Sequence, residues 1–112
     1  MPSKYRNKRV TLDGYTFDSK AEARRYQELR LLHQAGEIRK LRTHPRYTLL
    51  DPFECKGVRY RSIVYEGDFE YIENGVQVVE DVKGKATAVF VLKKKLFLKR
   101  YGDEIELRIV EA

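Results

Sequence analysis

The sequence predicts one α/β domain, a mixed central sheet flanked by helices, with elements in the order α-β-β-β-α-β. Three observations lead there. At 112 residues the chain is long enough for one buried core and too short for two domains. Its 42% hydrophobic and 12% aromatic content supplies that core although 36% of residues are charged. Two stretches of helical spacing are separated by runs of β-branched and aromatic residues, with a third such run at the end.

The elements follow in chain order. Residues 1–9 are basic and are expected to be mobile or lightly packed. Residues 10–17 alternate around Asp13-Gly14, which predicts a small hairpin. Ser19 with Glu22 three residues on forms a capping box, opening a helix through Ala23, Tyr26, Leu29 and Leu32. Gly36 suits its left-handed C-terminal cap. A strand is expected over 46–50, ended by Asp51-Pro52, and another over 59–72. Asn74-Gly75 signals a two-residue type I′ turn into a returning strand over 76–83. After Gly84, residues 86–101 read as a second helix stopped at Gly102, and 104–110 alternate as a last strand. In the second helix Val89, Leu92 and Leu96 make one apolar stripe, with Val91 and Leu98 nearly opposite. One stripe is expected to pack on the sheet and the other to be covered, with a homodimer formed through this region.

The net charge of +6 is unevenly placed. Residues 1–47 and 83–100 are strongly basic, whereas 48–82 are acidic. Basic zones favour a polyanionic partner, because each neutralised phosphate releases counterions. No apolar run reaches the roughly 20 residues that span a bilayer, and no signal-peptide core follows Met1. The single cysteine, Cys55, excludes an internal disulfide framework and fits a reducing compartment. A soluble, cytoplasmic protein is the expectation. No phosphate-binding glycine loop or dinucleotide fingerprint is present.

The acidic middle holds the strongest chemical signal. A two-residue turn at Asn74-Gly75 pairs residues whose numbers sum to 149, setting Ile72 opposite Gln77, Glu70 opposite Val79 and Asp68 opposite Asp81. Two full charges at ~5 Å repel by roughly 3 kcal/mol at an effective dielectric of ~20. A shared proton or a bound cation relieves that repulsion. Period-2 geometry places Lys83 on the face of Asp81. Two oxygen donors suit Mg²⁺, with Lys83 beside them to orient water or offset charge. Taken alone, the Asp81–Lys83 pair also fits a surface salt bridge. Gly67 is positioned to introduce a bulge beside Asp68. Glu22, on the helix side expected to face the sheet, offers a third oxygen ligand, although the capping box alone accounts for a glutamate there.

Asp68 followed across the hairpin by Asp81-Val82-Lys83-Gly84 resembles the PD-(D/E)XK nuclease superfamily. The wider string, Ser19-Lys20-Ala21-Glu22, Gly67-Asp68-Phe69-Glu70-Tyr71 and Val79-Glu80-Asp81-Val82-Lys83-Gly84, is similar to a small phage- and prophage-encoded branch related to Holliday-junction resolvases. The likeness spans about residues 10–110, with Gly67 in place of the proline of the motif's name. It implies a restriction-endonuclease-like core and a Mg²⁺-dependent DNA endonuclease, with Mn²⁺ able to substitute. Asp68 and Asp81 would hold the metal, Lys83 would be the catalytic lysine, and Glu22 would assist the metal or its water. Branched DNA and a role in phage recombination are the further implication. A non-catalytic basic DNA-binding module on the same fold is the alternative.

Arg24, Arg25, Arg42 and Arg46 are placed to track a DNA backbone, as are Lys85 beyond the motif and Lys93 and Lys94 on the second helix. His33 and His44 read as structural or surface residues. They lack metal-ligand spacing with each other or with Cys55, so zinc is not expected.

Overall fold

The computed structural model describes residues 9–112. The basic segment expected to be mobile therefore lies outside the described residues, apart from Arg9, which is exposed 3.9 Å from Asp18. The fold is mixed α/β, with two helices and several sheets among the described residues.

Strands β1 (Val10–Leu12) and β2 (Tyr15–Phe17) form the expected hairpin. Asp13 and Gly14 both have positive φ, 51° and 82°, as a type I′ turn requires. Helix α1 (Lys20–Gln34) begins where Ser19 Oγ accepts the Glu22 N–H at 3.1 Å. It ends in a Schellman motif. Gly36 at φ +80° donates to His33 O, and Glu37 N–H donates to Leu32 O at 2.9 Å.

Seven strands lie between the helices, where the sequence predicts three. They are β3 (Arg39–Thr43), β4 (Arg46–Leu50), β5 (Phe53–Cys55), β6 (Val58–Tyr60), β7 (Ile63–Glu66), β8 (Phe69–Glu73) and β9 (Val76–Lys83). Helix α2 (Ala88–Tyr101), capped by Thr87 Oγ1, then leads to β10 (Ile105–Glu111). The single strand expected over 59–72 is three strands, β6, β7 and β8. The chain switches sheets at Gly67-Asp68, and the apolar residues on either side of Glu66-Gly67-Asp68 let the stretch read as one strand. The sequence does not mark β3, because Arg39, Lys40 and Arg42 make it polar; it is an edge strand, where charges are the usual defence against further pairing.

The main sheet has the order β10-β9-β8-β3. β9 pairs with β10 in parallel and with β8 antiparallel, so the sheet is mixed. The β8–β9 register pairs Ile72 with Gln77 and Glu70 with Val79, as expected, around Asn74 and Gly75 at φ 52° and 79°. The ladder ends at Phe69↔Glu80, so Asp68 and Asp81 are not a ladder pair. Gly67 and Asp68 form the irregularity there, with Asp68 N–H donating to Glu80 O at 2.9 Å.

Each face of the sheet carries one core. Alternation sends Phe69, Tyr71 and Val78 toward Phe17 and the α1 residues Ala23, Tyr26 and Leu29. Val79 points the other way, packing with Phe90 and Phe97 of α2, Tyr65, Leu49 and Ile105. Phe90 and Phe97 are seven residues apart, two helical turns, and they define the buried face of α2. This corrects the stripe read from the sequence. Val89 and Leu92 are exposed, as are Val91 and Leu98, and only Leu96 of that stripe packs on the core. Aromatic bulk decides which face a helix with several apolar rows buries.

Candidate metal centre

The cleft at one end of β8 and β9 is lined by Ser19, Glu22, Asp68, Asp81, Lys83 and Gly84, with a volume of about 640 Å³. Three parts of the chain supply its chemistry. The first turn of α1 brings Glu22, the bulge after β7 brings Asp68, and β9 brings Asp81 and Lys83.

Glu22 is only 6% exposed, and its Oε1 has no hydrogen-bond partner. The Ser19 half of the capping box is made, while the Glu22 carboxylate faces the cleft. Burial raises its pKa, as do the nearby Asp18 and Asp81 charges, against a lowering influence from His44. Asp68 Oδ2 accepts the Val82 N–H at 2.6 Å. Burial, with the charges of Asp81 and Glu22, pushes Asp68 up to about 8 although the Val82 bond acts in the opposite direction. Asp81 is 2% exposed. Its Oδ2 accepts from the Tyr65 hydroxyl, and its Oδ1 lies 3.5 Å from Lys83 Nζ. Burial and the Asp81 carboxylate both raise the Tyr65 pKa, so this hydroxyl stays a proton donor. The Lys83 ammonium also sits 4.7 Å above the Phe90 ring centroid.

All four residues expected to carry the chemistry thus share one cleft. Two others, unforeseen, touch the acids that line it. Tyr65 read only as a strand apolar residue, since nothing in a strand pattern shows where its hydroxyl goes. His44, expected to be structural or at the surface, places Nε2 3.8 Å from Glu22 Oε1 and Nδ1 3.8 Å from Glu66 Oε2. Glu22, His44 and Asp68 each offer a donor atom within 4.8 Å of the others, a cluster that could hold a metal ion. The sequence does not mark His44: a residue before proline is biased toward extended backbone, whereas His44 takes a left-handed conformation at φ +53°.

The expected DNA-contacting residues divide. Arg25 is half-buried: its Nε and Nη2 donate to both oxygens of the fully buried Glu80 at 2.8 and 2.7 Å. Glu80 also accepts from the Tyr71 hydroxyl. Arg25 therefore holds a structural ion pair, which the sequence reading as a DNA contact did not anticipate, because alternation turns Glu80 into the α1 core, where its charge needs a partner. Arg42 lies 3.4 Å from Glu70, and Arg46 bonds Glu66 at 2.9 Å. Lys93 donates to Val64 O at 3.0 Å and shares a second cleft with Arg46, Asp81 and Lys83. Arg24 and Lys85 are exposed, and Lys94 is half-buried.

No helix among the described residues is long and apolar enough to cross a membrane. No curated protein matches the chain. Its residues 2–112 match the model of a family described as a protein of unknown function, DUF1064. With nearly its whole length covered by that match, the chain belongs to the DUF1064 family.

Proposed function

We propose that the protein is a divalent-cation-dependent endodeoxyribonuclease of the PD-(D/E)XK type that cuts branched DNA, such as four-way junctions, in phage recombination or DNA processing. One observation carries this reading: three carboxylates distant in sequence, Glu22, Asp68 and Asp81, converge in one cleft with the ammonium of Lys83 beside them. Three carboxylates sharing one cleft repel one another, and the orphaned Glu22 oxygen has nothing to bond. The three carboxylates offer anionic oxygen donors, which suit a divalent ion such as Mg²⁺ or Mn²⁺.

Glu22, Asp68 and Asp81 would hold the ion. When bound, it supplies Lewis-acid polarisation of a phosphodiester oxygen and lowers the pKa of water. The chain's own groups do the rest. Tyr65 and the Val82 N–H fix one oxygen each of Asp81 and Asp68, leaving the others to face the cleft. Lys83 stands where it can hold an attacking water or offset charge growing on the phosphate. A mixed sheet with a helix on each face supports a restriction-endonuclease-like core. The exposed Lys85 and Arg24 supply cationic contacts, with Lys93 and Lys94 on α2. A homodimer through the exposed Val89 and Leu92 would pair two sites, and light scattering at micromolar protein is expected to give the dimer mass.

The test is incubation with four-way junction, flap and linear duplex DNA, with Mg²⁺ and with chelator. Cleavage is expected only with the ion and fastest on branched substrates. Asp81→Asn is expected to lower the rate by about 10²-fold or more while DNA binding persists. Lys83→Ala should reduce rate more than affinity. DNA binding without cleavage in either Mg²⁺ or Mn²⁺ would leave a non-catalytic binding module.

A further inference from the structure

We propose that His44 is a direct ligand of the ion in this cleft, making it a mixed nitrogen–oxygen site that prefers a first-row transition ion such as Mn²⁺ over Mg²⁺. The inference rests on the metal-dependent reading above and deepens it. Four observations carry it.

The donor atoms of Glu22, His44 and Asp68 lie within 4.8 Å of one another. Ligands around one ion at about 2.1 Å are at most about 4.2 Å apart, so small side-chain movements close the set. Glu22 Oε1, the atom 3.8 Å from His44 Nε2, is the buried oxygen that lacks any partner. An ion between them satisfies both groups, whereas neither now has a hydrogen bond from the other at that distance.

The corner bearing His44 is tied to the residues that present Asp68. His44 N–H donates to Asp68 O at 2.9 Å, and Gly67 N–H donates to Pro45 O at 3.0 Å. Ring and carboxylate are therefore held in one piece, with His44 in a left-handed conformation at φ +53°. Finally, the far nitrogen, Nδ1, faces Glu66 at 3.8 Å, and Arg46 anchors Glu66. A carboxylate behind the ring is the usual outer partner of a metal-bound imidazole. Imidazole nitrogen raises affinity for first-row transition ions, while Mg²⁺ favours oxygen donors and retains water.

The experiment is pulsed electron paramagnetic resonance of the full chain loaded with Mn²⁺, read for ¹⁴N coupling from a bound imidazole. Coupling is expected in the wild type and in His33→Gln, and lost in His44→Gln. Mn²⁺ affinity by titration calorimetry is expected to fall by about 10–100-fold in His44→Gln, with Mg²⁺ affinity changing far less. The wild-type spectrum needs no variant, so a poorly folded His44→Gln cannot obscure the result. Mn²⁺ bound without nitrogen coupling overturns the role of His44 and leaves the carboxylate site and the nuclease reading standing. Failure of the wild type to bind Mn²⁺ overturns both metal readings together.

Discussion

Asp68 ties the acid–base behaviour of the whole fold to one carboxylate. Burial, aided by the charges of Asp81 and Glu22, lifts it from 3.8 to about 8. Between those values the folded chain keeps a proton that the unfolded chain sheds. Stability therefore falls as pH rises through that window, being greatest below it. In EDTA, the melting temperature is expected to decline from about pH 5 to pH 9, and Asp68→Asn is expected to flatten the curve. Adding a divalent ion at pH 8 should restore the melting temperature, since the ion takes the place of the proton and binds only the folded site. A wild-type curve that is flat in EDTA would show that Asp68 is ionised throughout. Glu22, raised in the same direction by its own burial, adds to the slope.

Two residues support the strands that carry that cleft. At the switch from β7 to β8, a Cβ on Gly67 would meet Val79 Cγ1 at 2.8 Å, with Pro45 Cγ at 3.5 Å on another side. Val79 is fully buried and has no room to give. Gly67→Ala is expected to cost about 1–3 kcal/mol by chemical denaturation and to weaken metal binding, because Asp68 is the next residue. Across the sheet, Arg25→Ala strands the fully buried Glu80 carboxylate, whose remaining donor is Tyr71. A loss of about 3 kcal/mol is expected, where a DNA-contact residue would change stability by less than about 0.5. These two positions also show what could be read beforehand. The turns, caps and the β8–β9 register were legible because Asp13-Gly14, Gly36 and Asn74-Gly75 each impose a backbone shape by themselves. Asp81 and Lys83 share a face by strand parity and Glu22 lies on one helix face, whereas Asp68, beyond the end of the ladder, reaches the cleft through the irregularity at Gly67 and not through the register expected for it. Gly67 signalled an irregularity beside Asp68, but the change of sheet there was hidden, since a strand pattern does not show which strand it pairs with. Arg25 and His44 were hidden because their partners, 55 and 22 residues away, are set by tertiary packing alone.

At the scale of the molecule, two cores and a projecting ribbon have separate physical standing. β4 and β7 pair antiparallel beside α2, and beyond Leu50 and Ile63 the same two strands' chain continues as β5 and β6. Residues 50–62 are exposed without interruption, although Lys56 and Gly57 form a type I′ turn at φ 51° and 78°. Phe53 and Tyr60, directly paired, stack with centroids 5.0 Å apart, and both remain close to half exposed. Neither residue belongs to the core on either face of the main sheet. Hydrophobic stabilisation follows the apolar area removed from water, so a ribbon that buries little contributes little to folding. Replacing residues 53–60 with Asn-Gly closes the β4–β7 hairpin by a short loop, and closure entropy changes slowly with length. The shortened protein is expected to unfold within about 0.5 kcal/mol of the full chain and to bind Mn²⁺ equally well. A loss of more than about 2 kcal/mol, a large fraction of a domain's stability, would mean that the ribbon packs on a core. Equal stability would instead place its exposed aromatic pair outside the work of folding, since the sheet, both cores and the acidic cleft would all persist without it.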